Sequence, residues 1–244
     1  MFVIDAWKDH KFELDAICNM DETPIFFDMP SNRTINFKGS KTVSIKTAEG
    51  EKTHFTLILS CLADGTKLKP AIIFKRKTIP KEKLNKGVIV FTQEKAWWLN
   101  DVWFKRPGAL LNKKALIVWD MFHAHIVDVV KPKLGRRMYQ SVIPGGCTSV
   151  LQPLDVCLNK PFKSNMRIKW NDWMINGTKE GWGHSKANHT NYSWAEIPTE
   201  MVIGSFLKCG ISNSLDSTED DKLFNDAVGT GGSRQDSSLV LRNH

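Results

Sequence analysis

The five residues Ala115–Trp119, ALIVW, are apolar without interruption, and Asp120 follows them directly. A run of strand length with no alternation fits a strand covered on both faces, inside a sheet that has helices above and below it. A carboxylate placed straight after such a strand is costly to bury without a partner. The chain must therefore bring something to Asp120, and the search for that partner organises the reading of the rest.

Residues 15–20 read as a short buried strand that ends at the adjacent acids Asp21 and Glu22. Residues 42–47 alternate in the strand manner, HFTLILSCL follows, and KPAIIFK is a further strand candidate; these make an antiparallel meander, with Asp64-Gly65 as a turn signal. Apolar residues at 98, 99, 102 and 103 change to a helical period. Residues 124–135 read as a helix stopped by Pro132 or Gly135, residues 139–143 as a strand, and the stretch from Pro153 as a long helix. Residues 176–194, rich in Gly, Asn, His and Trp, read as a loop, and IPTEMVIGSFLKCG as a short helix with a glycine end. Antiparallel strands first and strand–helix alternation second predict an α/β fold, a mixed sheet flanked by helices. The expected organisation is an extension over 1–14, the main domain over 15–175, a loop and C-terminal helix over 176–215, and a flexible acidic tail over 216–244.

Bulk properties narrow the class. At 244 residues the chain can bury one sizeable core, or one core plus an appended subdomain. No stretch approaches eighteen consecutive apolar residues, and the first sixteen mix acids and bases into their apolar positions, unlike a secretory signal. The five cysteines contain no C-x-x-C pair, which argues against a disulfide framework or zinc ribbon and for a reducing compartment. Of 34 Lys and Arg, 28 fall before residue 171, against 16 of the 26 acids; the remainder carries 6 against 10. A basic body suits a polyanionic partner, as it also suits an ordinary soluble basic protein.

Three acids stand where phosphoryl-transfer chemistry would need them: Asp21 after the first strand, Asp120 after the central run, and Asp155 at the start of the helix that follows LQPL. Two-metal catalysis needs carboxylates converging on one point, and Asp and Glu suit Mg²⁺ or Mn²⁺ where His and Cys would favour zinc. Each acid also has a plain reading, as a solvated strand end or a helix N-terminal acid helped by the dipole. His123 and His125 form H-x-H, but no Cys or His at helpful spacing completes a zinc site.

NMDET, IVWDMFHAH and LQPLDVCLNKPFK, in that order, resemble the pogo-like branch of the mariner-type DDE transposases, the group from which centromere protein B-like proteins derive. The resemblance runs over about residues 15–170, and thirty-four residues lie between Asp120 and Asp155, in keeping with that family's spacing. It implies a ribonuclease-H-like fold and a DDE superfamily endonuclease. Catalysis would rest on Asp21, Asp120 and Asp155 as ligands of Mg²⁺ or Mn²⁺ in a two-metal site. Around them, Glu22 reads as a supporting or a surface residue, His125 as a neighbour of the phosphate or of a ligating carboxylate, and Gln152 as a contact to the DNA backbone or a loop hydrogen bond. The resemblance implies DNA as partner and, as in transposases, a homodimer in the nucleus; no membrane association is expected. Lys75, Arg76 and Lys77 form a basic cluster, and Lys160, Lys163 and Arg167 share one helix face that suits phosphate contacts as it also suits an ordinary solvated face. Nothing before residue 15 has room for the helix-turn-helix domains of pogo-like transposases, so a catalytic domain alone is expected. The rival expectation is a domesticated, catalytically inactive nucleic-acid-binding or scaffold protein that keeps the fold.

Overall fold

The computed structural model describes residues 10, 12–26, 28–29, 38, 54–75, 86–92, 113–121, 138–176, 182–214 and 218–223. The expected strand at 42–47 and the expected helices around 98–103 and 124–135 lie outside these residues. Among the described residues six strands form one sheet: β1 (Ile17–Phe26), β2 (His54–Leu62), β3 (Ala71–Phe74), β4 (Ile89–Thr92), β5 (Ala115–Trp119) and β6 (Met138–Val142). Their order is β4-β3-β2-β1-β5-β6. β1, β2 and β3 are antiparallel neighbours, while β5 runs parallel to both β1 and β6, and β4 parallel to β3. This is the mixed sheet expected of a ribonuclease-H-like domain.

The central run behaves as its composition requires: all five residues of β5 are buried, between β1 and β6. β1 departs from the expectation. It does not end at Asp21 but continues to Phe26, because β2 pairs with it along its length, from Cys18↔Leu62 to Phe26↔His54. What stops near the acids is the pairing of β1 with β5, whose last matched residues are Asn19 and Val118. Beyond that point no described strand flanks β1 on the β5 side, which is why Pro24 is tolerated within it.

Among the described residues four α-helices follow the sheet: α1 (Thr148–Leu151), α2 (Asn159–Asn176), α3 (Trp182–Ala195) and α4 (Thr199–Lys208). A wide turn with π-helical bonding, Leu154–Leu158, leads directly into α2. On α2 the buried residues are Asn159, Phe162, Met166 and Trp170, spaced to present one face. That face joins Ile17, Ile25, Leu57, Leu59, Val118, Leu154 and Phe206 in the larger core, whereas Met20, Ile58, Ile117 and Trp119 belong to a second cluster on the other side of the sheet.

The segment expected to be a loop contains α3. Its composition is a poor guide because tertiary packing supplies the stability: Thr190, Ser193 and Trp194 are buried. The Trp194 ring meets Phe162 of α2 edge-on at 6.3 Å, and its Nε1 donates to the Leu68 carbonyl at 3.0 Å. Lys67 donates to the carbonyls of Ala195 and Ile197 and so covers the negative end of α3. The Asp64-Gly65 turn is present, with Gly65 at φ +93 and a would-be Cβ only 2.4 Å from Thr199 Cγ2. Only glycine allows α4 to approach that turn so closely.

Candidate active site

Asp21 and Asp120 are brought level by strand register. β1 and β5 run parallel with Asn19 opposite Val118, so two residues further on Asp21 and Asp120 leave the paired region side by side. Successive side chains alternate between faces, which puts Asn19 and Asp21 on the face covered by α2. The same alternation puts Glu22 with Met20 on the opposite face, away from Asp21.

Asn19 fixes the other half of the site. Fully buried, it donates from Nδ2 to the Val118 carbonyl at 2.8 Å and accepts at Oδ1 from the Leu154 backbone N–H at 3.0 Å. That N–H belongs to the first turn of the helical segment and has no partner within it. One side chain therefore ties β1 to β5 and sets where the helix carrying Asp155 begins.

The helix start delivers Asp155 to Asp21. Asn159, one turn beyond Asp155, donates from Nδ2 to Asp21 Oδ2 at 2.7 Å and to Asp155 Oδ1 at 3.0 Å. Those two carboxylate oxygens are thus no further apart than 2.7 and 3.0 Å laid end to end. Asp21 is buried, Asp120 is half-buried and Asp155 is open to solvent on its outer side.

The three acids sense one another. Burial, followed by the Asp155 carboxylate, pushes the Asp21 carboxyl up to about 6; Asp120 adds to the rise and the Asn159 hydrogen bond opposes it. Partial burial raises Asp155 as well, with Asp120 adding to the rise and with Asn159 and Lys163 opposing it. Among the described residues no cationic side chain is in contact with Asp21, so negative charge is concentrated there, the condition that a bound cation relieves. The donor set is carboxylate oxygen, which fits a hard divalent ion. Among the described residues no three His, Cys, Asp or Glu side chains already stand grouped closely enough to hold a metal ion.

The remaining expected residues separate by position. Lys160 is exposed on the first turn of α2, with Lys163 and Arg167 half-buried along the same side. Lys75 lies past the end of β3, where its Nζ meets His54 Nε2 at 2.8 Å. Gln152 is fully buried at the end of α1, with no hydrogen-bond partner for either side-chain atom among the described residues. His125, Arg76 and Lys77 lie outside the described residues. Two residues that the sequence reading passed over, Asn19 and Asn159, make the contacts that assemble the acids. Their signal was an amide inside a buried strand and an amide one helical turn after the third acid.

The sequence model of the family described as DDE superfamily endonuclease matches residues 52–206. The chain belongs to this family. Its relatives include the human "Pogo transposable element with KRAB domain", 33% identical over 240 residues, covering 91% of this chain and 39% of the relative. The mouse protein of the same name is 32% identical, covering 89% of this chain and again 39% of the relative. The DDE chain thus spans about two-fifths of the length of these pogo proteins. Among solved structures, a "Mos1 transposase paired-end complex with left transposon end" resembles it at 16% identity and a TM-score of 0.44, covering 83% of this chain and 58% of that one.

Proposed function

We propose that this DDE domain binds DNA and catalyses divalent-cation-dependent cleavage and strand transfer at phosphodiesters. Asp21, Asp120 and Asp155 would hold Mg²⁺ or Mn²⁺. The observation that carries the reading is the meeting of Asp21 and Asp155 on one amide, Asn159 Nδ2, beside a strand end that delivers Asp120 in register.

The cation, when bound, would supply Lewis-acid stabilisation of charge at the phosphate and favour the deprotonated nucleophile. The chain's own residues do the rest. The sheet and α2 bury Asp21, so one wall of the pocket is dry and its charge is poorly screened. Asn19 holds the helix start against β1 and β5, fixing the approach of Asp155. Lys160, Lys163 and Arg167 offer a cationic stripe on α2 that can take backbone phosphates and orient the duplex. The reaction is displacement at phosphorus: a water oxygen forms the new P–O bond as the bond to the DNA 3′ oxygen breaks. The water proton goes to solvent and the departing oxygen gains one. In strand transfer a DNA 3′-hydroxyl takes the place of water. Activity on DNA would place the protein in the nucleus, and strand transfer of the transposase kind would call for a homodimer.

The test is nicking of supercoiled plasmid by the purified chain. Nicking with Mn²⁺, none with EDTA, and none by Asp120→Asn is the expected pattern. Plasmid binding without nicking in Mn²⁺ would replace this reading with that of a non-catalytic nucleic-acid-binding domain.

A further inference from the structure

Asn159 is the first residue of α2 and is only 7% exposed. Its Nδ2 donates to two different carboxylates, so both amide hydrogens are used. This settles the orientation of the amide, since the reverse placement would set a carbonyl oxygen against two acidic groups. The bridge takes one oxygen from each acid, Oδ2 of Asp21 and Oδ1 of Asp155, and leaves each its second oxygen. The other end of the amide differs: Oδ1 is buried and has no hydrogen-bond partner among the described residues. A side chain placed for packing alone would not keep a carbonyl oxygen dry and unmatched beside two carboxylates, because that costs free energy. An oxygen of this kind is a hard acceptor, suited to a cation or to the water a cation carries.

We propose that Asn159 is the positioning residue of the DDE cation pocket: its amide nitrogen sets the gap between Asp21 and Asp155, and its buried carbonyl oxygen faces the ion or an ion-bound water. The inference rests on the reading of the three acids as ligands. It assigns to α2 a share in metal selectivity, because the spacing of the two carboxylates is fixed by a helix residue rather than by the strands. Groups that hold a metal's ligands in place commonly change affinity by about 10–100-fold when removed.

Calorimetric titration of the full chain with Mn²⁺ tests this, comparing the wild type with Asn159→Leu, Asn159→Ser and Asp120→Asn, each checked for folding by circular dichroism. Leu has a similar volume and no polar atoms; Ser offers a single donor. The expected result is Mn²⁺ affinity about 10–100-fold weaker in Asn159→Leu and about fivefold or more weaker in Asn159→Ser. A purely structural role would lower the melting temperature and leave the affinity of the folded variant within twofold of wild type, and that result overturns the proposal. Should Asn159→Leu fail to fold, the same thresholds apply to Asn159→Ser. Unchanged affinity in both Asn159 variants with binding lost in Asp120→Asn removes only the role of Asn159. Unchanged affinity in Asp120→Asn, or no binding by the wild type, removes the ligand reading and this inference with it.

Discussion

Replacing Asp21 with asparagine should stabilise the metal-free protein at neutral pH, against the usual cost of changing a buried residue. The Asp21 carboxyl is pushed from 3.8 to about 6 by burial, Asp155 and Asp120. A raised carboxyl binds its proton more tightly in the folded state, so the ionised form opposes folding. That opposition is absent below the unfolded value, grows between the two values, and is complete above the folded one. A rise of about two units corresponds to about 3 kcal/mol at pH 7.5 and to roughly half of that at pH 5. Asn removes the charge while its carbonyl oxygen can still accept from Asn159 Nδ2. Urea unfolding in EDTA at both pH values is the assay. Asp21→Asn should exceed the wild type by about 1–3 kcal/mol at pH 7.5 and by less at pH 5. Added Mn²⁺ should raise wild-type stability and leave the variant nearly unmoved, since only a binding-competent native state gains by mass action. A variant less stable than wild type by the same amount at both pH values would show that Asp21 is an ordinary satisfied core carboxylate and refute the reasoning.

Asp155→Asn should lower plasmid nicking in Mn²⁺ by about a hundredfold or more while shifting the unfolding midpoint little, because Asp155 is open on its outer side. Asn19→Ala should cost about 2–4 kcal/mol in urea unfolding, since it strands the Leu154 N–H and the Val118 carbonyl in a buried site. The triple change of Lys160, Lys163 and Arg167 to Ala should weaken duplex binding regardless of sequence and reduce the slope of log K against log salt by up to about three, as fluorescence anisotropy would show.

The parts of this architecture visible in the sequence are those set by local patterning. ALIVW followed by Asp120 announced an interior strand with an acid at its mouth, and its full burial between β1 and β6 follows. Asp155 at the head of a long helix was legible from the break at Pro153 and the apolar spacing beyond it. Other features depend on partners distant in the chain. Asp21, Glu22 and Pro24 look like a strand terminus, and only the nine matched positions of β2 keep β1 extended through them. β4 has four residues, too few for a period to show. The polar composition of 182–195 hides a helix that leans on α2. The two asparagines were illegible for the same reason: an amide in an apolar pattern reads as a flaw until the structure shows Asn19 against Val118 and Leu154, and Asn159 between two acids.

The most direct measurement is anomalous diffraction from crystals of the chain soaked in Mn²⁺. The account predicts manganese peaks enclosed by Asp21, Asp120 and Asp155, and their loss in Asp120→Asn. Manganese bound only elsewhere, or a pocket that stays free of metal at millimolar Mn²⁺ with the acids protonated or turned outward, would contradict it.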